Sequence, residues 1–198
     1  MYSHLTIGVL ALQGDFERHL YRLSALKTNC REIRTGGDLS GLDGLIIPGG
    51  ESTTMSMLLD RFVMRPEMER FCFEKPVWGT CAGMIMLARE VDDVRVKPLK
   101  IIDISIARNG YGRQVYSFHT EVKAHLNGHD VSLPGSFIRA PVVMDAGPEV
   151  KILARHDNSP VLLIQGKCLV SSFHTELDDD LTLTRYFLDH LVMDTGVI

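Results

Sequence analysis

The sequence predicts an α/β fold: a three-layer sandwich whose mainly parallel central sheet carries helices on both faces and takes on added antiparallel hairpins. Three observations lead there. In the first half of the chain, short apolar runs alternate three times with segments of helical periodicity, the order that builds a parallel sheet covered on both sides. The breaks Gln13-Gly14 and Pro48-Gly49-Gly50 are turn-forming and fall at strand ends. After about residue 98 the strand-like runs crowd together, as antiparallel hairpins require.

Taken in order, Leu5–Leu10 reads as a buried strand. Asp15–Leu26 then brings Phe16, Leu20, Leu23 and Leu26 near helical spacing. Leu42–Ile47 is a second apolar strand. Ser52 or Thr53 is placed to cap the next helix, with Met55, Leu58, Leu59 and Phe62 on its apolar side. Pro76–Thr80 is a third strand and Ala82–Arg89 a third helix. Ile101–Ala107, Gln114–Lys123, Val150–Ala154, Val161–Gln165 and Cys168–Ser172 are the later strands. Asp180–Met193 closes the chain as an amphipathic helix, with Asp178–Asp180 near its N-terminus, where negative charge is favoured.

Composition narrows the function classes. The chain has 198 residues, 45% of them hydrophobic, and 21 basic against 25 acidic side chains for a net charge of −4. That suits one domain over residues 1–198 with a proper core, and it excludes disorder. Leu5–Leu12 falls far short of the roughly 20 apolar residues of a spanning helix, and it lacks the flanks of a secretory signal. The acidic balance argues against a nucleic-acid coat. Cys30, Cys72, Cys81 and Cys168 form no CxxC pair, so no zinc or disulfide framework is expected. A cytoplasmic globule is expected, without membrane or nucleic-acid partners.

The sharpest chemical feature is Gly79-Thr80-Cys81-Ala82-Gly83, between a strand and a helix. Small neighbours permit a sharp turn that lifts the side chain above the sheet, the nucleophile-elbow arrangement with Cys in the Ser position. Helix N–H groups aimed at the sulfur favour a thiolate. A small buried cysteine in a tight turn fits the same residues. A cysteine nucleophile needs a base and a group to orient that base. Ser172-Phe173-His174-Thr175-Glu176 supplies both, yet Ser117-Phe118-His119-Thr120-Glu121 repeats the same five letters. One thiol cannot use both copies. His119 and Glu121 lie in an alternating stretch, which suits a solvated or hydrogen-bonded strand face. Pro48-Gly49-Gly50-Glu51-Ser52-Thr53-Thr54 is a plain β–α turn or a loop whose glycines let backbone approach a ligand. N–H groups of Gly50 and Ala82 together would make an oxyanion hole. Neither a dinucleotide fingerprint nor a phosphate-binding P-loop is present.

Six segments come in one order: Gly8–Gly14 (GVLALQG), Pro48–Thr54 (PGGESTT), the cysteine elbow, Arg108–Gln114 (RNGYGRQ), Phe137–Pro141 (FIRAP) and Phe173–Leu177 (FHTEL). Together they resemble the glutaminase subunits of pyridoxal 5′-phosphate synthase, a family of class I glutamine amidotransferases. The resemblance spans about residues 5–190. It implies hydrolysis of L-glutamine to glutamate and ammonia, with Cys81 as nucleophile and His174 and Glu176 completing a triad. It implies that Gly50, Glu51, Ser52, Arg108, Ile138 and Arg139 line the glutamine site, and it sets His119-Thr120-Glu121 aside. It further implies a synthase subunit as partner, with Gln13 near the interface, and neither metal nor organic cofactor. Thr175 stands where the family usually has Pro, which removes a φ constraint. Gly110 replaces a residue that is usually Ala or Ser. The competing readings are a glutaminase subunit of a different amidotransferase and a non-catalytic subunit of the same fold.

Weaker signals lead elsewhere. Asn127-Gly128 reads as a turn, which breaks any metal-ligating spacing among His119, His125 and His129. Arg95, Lys97 and Lys100 read as a solvated edge. Met55, Met57, Met64, Met84, Met86 and Trp78 read as core.

Overall fold

The computed structural model describes residues 2–108 and 117–193. Its elements run β1 (Thr6–Leu10), α1 (Phe16–Ala25), β2 (Asn29–Ile33), β3 (Gly44–Ile47), α2 (Ser52–Arg61), α3 (Arg65–Glu74), β4 (Val77–Thr80), α4 (Ala82–Leu87), β5 (Ala88–Val91), β6 (Ile102–Ala107), β7 (Phe118–Leu126), β8 (His129–Phe137), β9 (Val142–Ala146), β10 (Lys151–His156), β11 (Ser159–Gln165), β12 (Cys168–Ser171) and α5 (Thr182–Phe187). Nine strands form one sheet in the order β2-β1-β3-β4-β12-β11-β10-β7-β8, and β5-β6-β9 form a second. The large sheet is parallel from β2 through β12 and antiparallel from β12 to β8. This is the expected α/β architecture, with the antiparallel addition extending the sheet.

Period-two burial explains the layers. In β3, Leu45 and Ile47 enter one core with α2, α3, α4 and the small sheet, while Ile46 enters the other with α1 and α5. Val77 and Trp78 divide in the same way in β4, as do Val170 and Leu169 in β12. Side chains alternate across a strand, so these short apolar runs serve both faces at once. Met55, Met64, Met84, Met86 and Trp78 are buried as expected, but Met57 is exposed.

Several boundaries differ from expectation for local reasons. Glu51 caps α2, not Ser52 or Thr53; its side chain accepts the N–H groups of Thr53 and Thr54. The helix α4 stops at Leu87 because Ala88 begins β5, paired with β6. Asn127-Gly128 is indeed the turn between β7 and β8, both residues having positive φ, as a two-residue hairpin turn of type I′ requires. Asp157-Asn158 makes a second such turn, so β10 and β11 run longer than their apolar stretches. Pro134 and Gly135 argue against a strand, yet β8 is one; as an edge strand it does not need the N–H that proline lacks. The polar edge strand β2, helix α3 and the small-sheet strands β5 and β9 had too little apolar periodicity to read. Residues 109–116, with Gly110, Gln114 and most of the Arg108–Gln114 segment, lie outside the described residues. Among the described residues, no helix is long and apolar enough to cross a membrane.

The register positions the site. Ile47 of β3 pairs with Gly79 of β4, and Thr80 pairs with Ser171 of β12. Three adjacent parallel strands therefore end level, and the Pro48-Gly49-Gly50 loop, Cys81 and the segment carrying His174 leave the sheet side by side. Sites of open α/β sheets form at this carboxyl edge.

Candidate active site

Cys81 sits between β4 and α4 with φ 48° and ψ −101°, a conformation costly for any residue with a side chain. The neighbours make it possible. A Cβ on Gly79 would stand 2.6 Å from the Gly83 carbonyl, and one on Gly83 only 2.0 Å from the Ile47 oxygen. Only glycine fits at either position, so the spacing Gly-x-Cys-x-Gly is a steric requirement of the turn. The Cys81 N–H donates to the Ser171 carbonyl at 2.8 Å, tying the elbow to β12. Its sulfur lies near the cleft floor, 3.9 Å from the Ile138 carbonyl oxygen.

His174 is held from both ends. Its backbone makes a two-way antiparallel bridge to Ser136, with N–O distances of 2.9 and 3.1 Å. Its Nδ1 meets Glu176 Oε1 at 2.6 Å. Both side chains are buried. Burial alone would draw the imidazole's pKa down, but contact with the Cys81 sulfur and the Glu176 carboxylate outweighs it and raises the value well above that of an ordinary histidine. Burial pushes the Glu176 carboxyl up, and the neighbouring His19 and His174 imidazoles override that and hold it below the usual carboxylate range. The carboxylate therefore favours the protonated imidazole, whose other ring nitrogen faces the Cys81 sulfur.

Cys81 and His174 face a cleft of about 430 Å³. Gly50, Glu51, Ser52, Cys81, Arg108, Ile138, Arg139 and His174 all line it, together with Gly49, Asp15, Ile85 and Leu177, which sequence reasoning did not single out. Ala82 begins α4 directly after Cys81. Glu176 lies behind His174, off the cleft. Glu51 does double duty. Partial burial raises its carboxyl pKa, but hydrogen bonds from Thr53 and Thr54 prevail and hold it at about 2. It also pairs with the Arg108 guanidinium, which Asp93 Oδ2 engages from the other side at 2.7 Å. Arg139 has no ion-pair partner among the described residues. Gln13 reaches the same loop: its Oε1 accepts the Glu51 N–H at 3.0 Å, and a Cβ on Gly50 would collide with its amide.

The duplicate motif is separated by its surroundings. His119 lies on β7, where its Nδ1 meets the Ser136 hydroxyl at 2.8 Å, and Glu121 accepts from Ser132 at 3.1 Å. Both are exposed on one strand face and bond to β8, and neither lines the cleft. Among the described residues, no three His, Cys, Asp or Glu side chains converge as a metal site would need. Arg95 pairs with Asp93 and Lys97 with Asp60, consistent with a solvated edge. The residue sequence reasoning missed is His19, beside Glu176 with its Nε2 3.5 Å from Oε1. No local motif surrounds it, and only α1 docking reveals it.

Comparison with known proteins assigns the family. The family model described as the SNO glutamine amidotransferase family matches residues 9–193. A pyridoxal 5′-phosphate synthase subunit PdxT of Carboxydothermus hydrogenoformans is 44% identical over 186 residues, covering 93% of this chain and 97% of that protein. Its counterpart in Fervidobacterium nodosum is 44% identical over 185 residues, covering 93% and 96%. A crystal structure of a glutamine amidotransferase, 43% identical, superposes with a TM-score of 0.86 over 92% of this chain and 97% of that one. Matched in sequence along nearly all of residues 9–193 and in fold with a solved amidotransferase, the chain belongs to the SNO glutamine amidotransferase family.

Proposed function

We propose that this chain is a glutaminase that works as one domain with a synthase subunit, in the cytoplasm, and supplies ammonia for pyridoxal 5′-phosphate formation. One observation carries the chemistry: an elbow cysteine and a carboxylate-held histidine share one cleft, His174 Nδ1 being 2.6 Å from Glu176. The Cys81 thiolate, its proton already held by His174, attacks the side-chain amide carbon of L-glutamine. The new C–S bond displaces the carbonyl π pair onto the amide oxygen, and the N–H groups of Gly50 and Ala82 donate hydrogen bonds to that oxyanion. As the C–N bond breaks, His174 returns the proton and ammonia leaves. A water, deprotonated by His174, then opens the thioester to glutamate and regenerates the thiolate beside the protonated His174. Glu176 holds the imidazole in the tautomer this requires.

The cleft walls suit a zwitterion. Arg108 and Arg139 offer guanidinium donors to the α-carboxylate, and the ionised Glu51 offers an acceptor to the α-ammonium. Ser52 and the Ile138 backbone complete the wall. No step needs a metal or organic cofactor. The partner follows from the relatives, which are named as synthase subunits, and from chemistry, since ammonia released into neutral water becomes non-nucleophilic ammonium. Gln13 lies against the Gly50–Glu51 peptide, a contact that supports a role in passing docking at its loop on to the oxyanion site.

The test is a glutaminase assay with and without the synthase subunit. Weak activity alone and strong activation on mixing are expected, with activation impaired in Gln13→Ala and turnover abolished in Cys81→Ala. Full activity in the isolated chain, unaltered by the synthase, would refute the coupling.

A further inference from the structure

We propose that His19 is a positioning residue for the glutaminase triad, acting through Glu176 and Thr80; this rests on the reading of Cys81, His174 and Glu176 given above. His19 lies on α1 and is only 2% exposed. Its Nε2 stands 3.3 Å from Thr80 Oγ1 and 3.5 Å from Glu176 Oε1. Its ring meets Trp78 edge-on, centroids 5.6 Å apart at 86°, which fixes the imidazole plane and aims Nε2 between the two oxygens. Less than one helical turn on, Arg22 donates Nε to the Glu176 carbonyl at 3.3 Å and pairs with Asp179 at 2.9 Å. One helix thus grips both the backbone and the side chain of the triad acid.

The need for such a grip lies in Glu176 itself. Its Oε2 has no hydrogen-bond partner among the described residues, so the side chain's polar contacts converge on Oε1, approached by His174 and His19. A buried carboxylate without enough donors tends to neutralise. A protonated Glu176 would no longer accept from His174 Nδ1, and the imidazole would lose both its orientation and its tautomer. Thr80, the other partner, immediately precedes Cys81. His19 therefore connects the acid to the elbow while staying out of the cleft, so it affects turnover and leaves substrate affinity alone.

The experiment measures kcat and KM for glutamine with the synthase subunit present, with melting curves, and uses the rate of Cys81 labelling by a glutamine-mimicking electrophile where turnover is too slow to read. His19→Leu, which keeps bulk and loses the donor, should lower kcat about 10- to 100-fold, the worth of one hydrogen bond to a charged group, with KM within about twofold. His19→Gln, which restores an N–H near Nε2, should recover most of kcat. In a Glu176→Gln background, His19→Leu should add no more than about twofold, because the contact it serves is already gone. Equal losses in His19→Leu and His19→Gln, an unchanged kcat in His19→Leu, or a full effect in the Glu176→Gln background would each overturn the proposal. If His19→Leu fails to fold, His19→Gln against His19→Asn decides, since Asn carries its amide at the Nδ1 position; equal activity in those two would overturn it. A wild-type kcat in Glu176→Gln would instead bring down the triad reading itself.

Discussion

Adding one methyl group at Gly49 should disable the base without disturbing the rest of the fold. Gly49 is not in the left-handed region, so alanine is acceptable to its backbone, but the new Cβ would stand 2.3 Å from His174 Cε1 and 3.1 Å from Nδ1. Carbon atoms settle about 3.5–4.0 Å apart, so the ring must retreat by more than about 1 Å. It has no easy route: the His174 backbone is bridged to Ser136, and Nδ1 is held by Glu176 at 2.6 Å. The ring must break that bond or push the Pro48–Gly50 loop outward, and either move spoils the alignment with Cys81. A misplacement of about 1 Å can cost roughly a hundredfold in rate, whereas overpacking of this kind costs about 1–3 kcal/mol of stability. Gly49→Ala should therefore lose about two orders of magnitude in kcat with the synthase subunit present, while retaining a cooperative melt. Gly37→Ala is the control, because its Cβ would meet nothing closer than 3.8 Å. A Gly49→Ala variant within about threefold of wild-type kcat would show that the histidine position found here does not govern turnover.

The two copies of Ser-Phe-His-Thr-Glu provide an internal comparison. His174→Asn should abolish hydrolysis, while His119→Asn, which disturbs only the part-buried bond to Ser136, should cost about 1 kcal/mol of stability and little activity; reversed effects would refute the triad. Thr175→Pro should be tolerated in melting and in turnover. The antiparallel bridge at His174 suits the extended backbone that proline prefers before it, and a large activity loss with a normal melt would show a loop path incompatible with proline. The Glu51 carboxyl is held at about 2 against an ordinary 4.5. A folded-state pKa below the unfolded one stabilises in full above the unfolded value and fades as pH falls through the folded value. The stability advantage of wild type over Glu51→Gln should therefore shrink between about pH 4.5 and pH 2, with screening at this half-exposed side chain limiting it to about 1 kcal/mol. A difference independent of pH in thermal melts would contradict the assignment.

Local signals in the sequence already contained the layer order, the sheet's parallel half, the elbow and the Asn127-Gly128 turn, because each depends on residues a few positions apart. Apolar period two marks a strand buried on both faces, and Gly79 and Gly83 mark a turn that no larger residue can make. The six segments of the family resemblance pointed to Cys81, His174 and Glu176 and to residues that the fold gathers around one cleft. Chain order alone did not show that His174 and not His119 faces the sulfur. The five letters are identical, and the difference is that one copy follows β12, paired to β4, while the other lies within β7 near the sheet's far edge. Nor did it reveal that Arg108 is braced by Glu51 and Asp93, that Gln13 touches the Glu51 amide, or that His19 meets the triad acid. Each of those contacts joins different elements, or different loops at the sheet edge, and forms only when the sheet register and the docking of α1 are complete. Periodicity and turn chemistry act over neighbouring residues, whereas strand pairing and helix packing set the distances between remote ones.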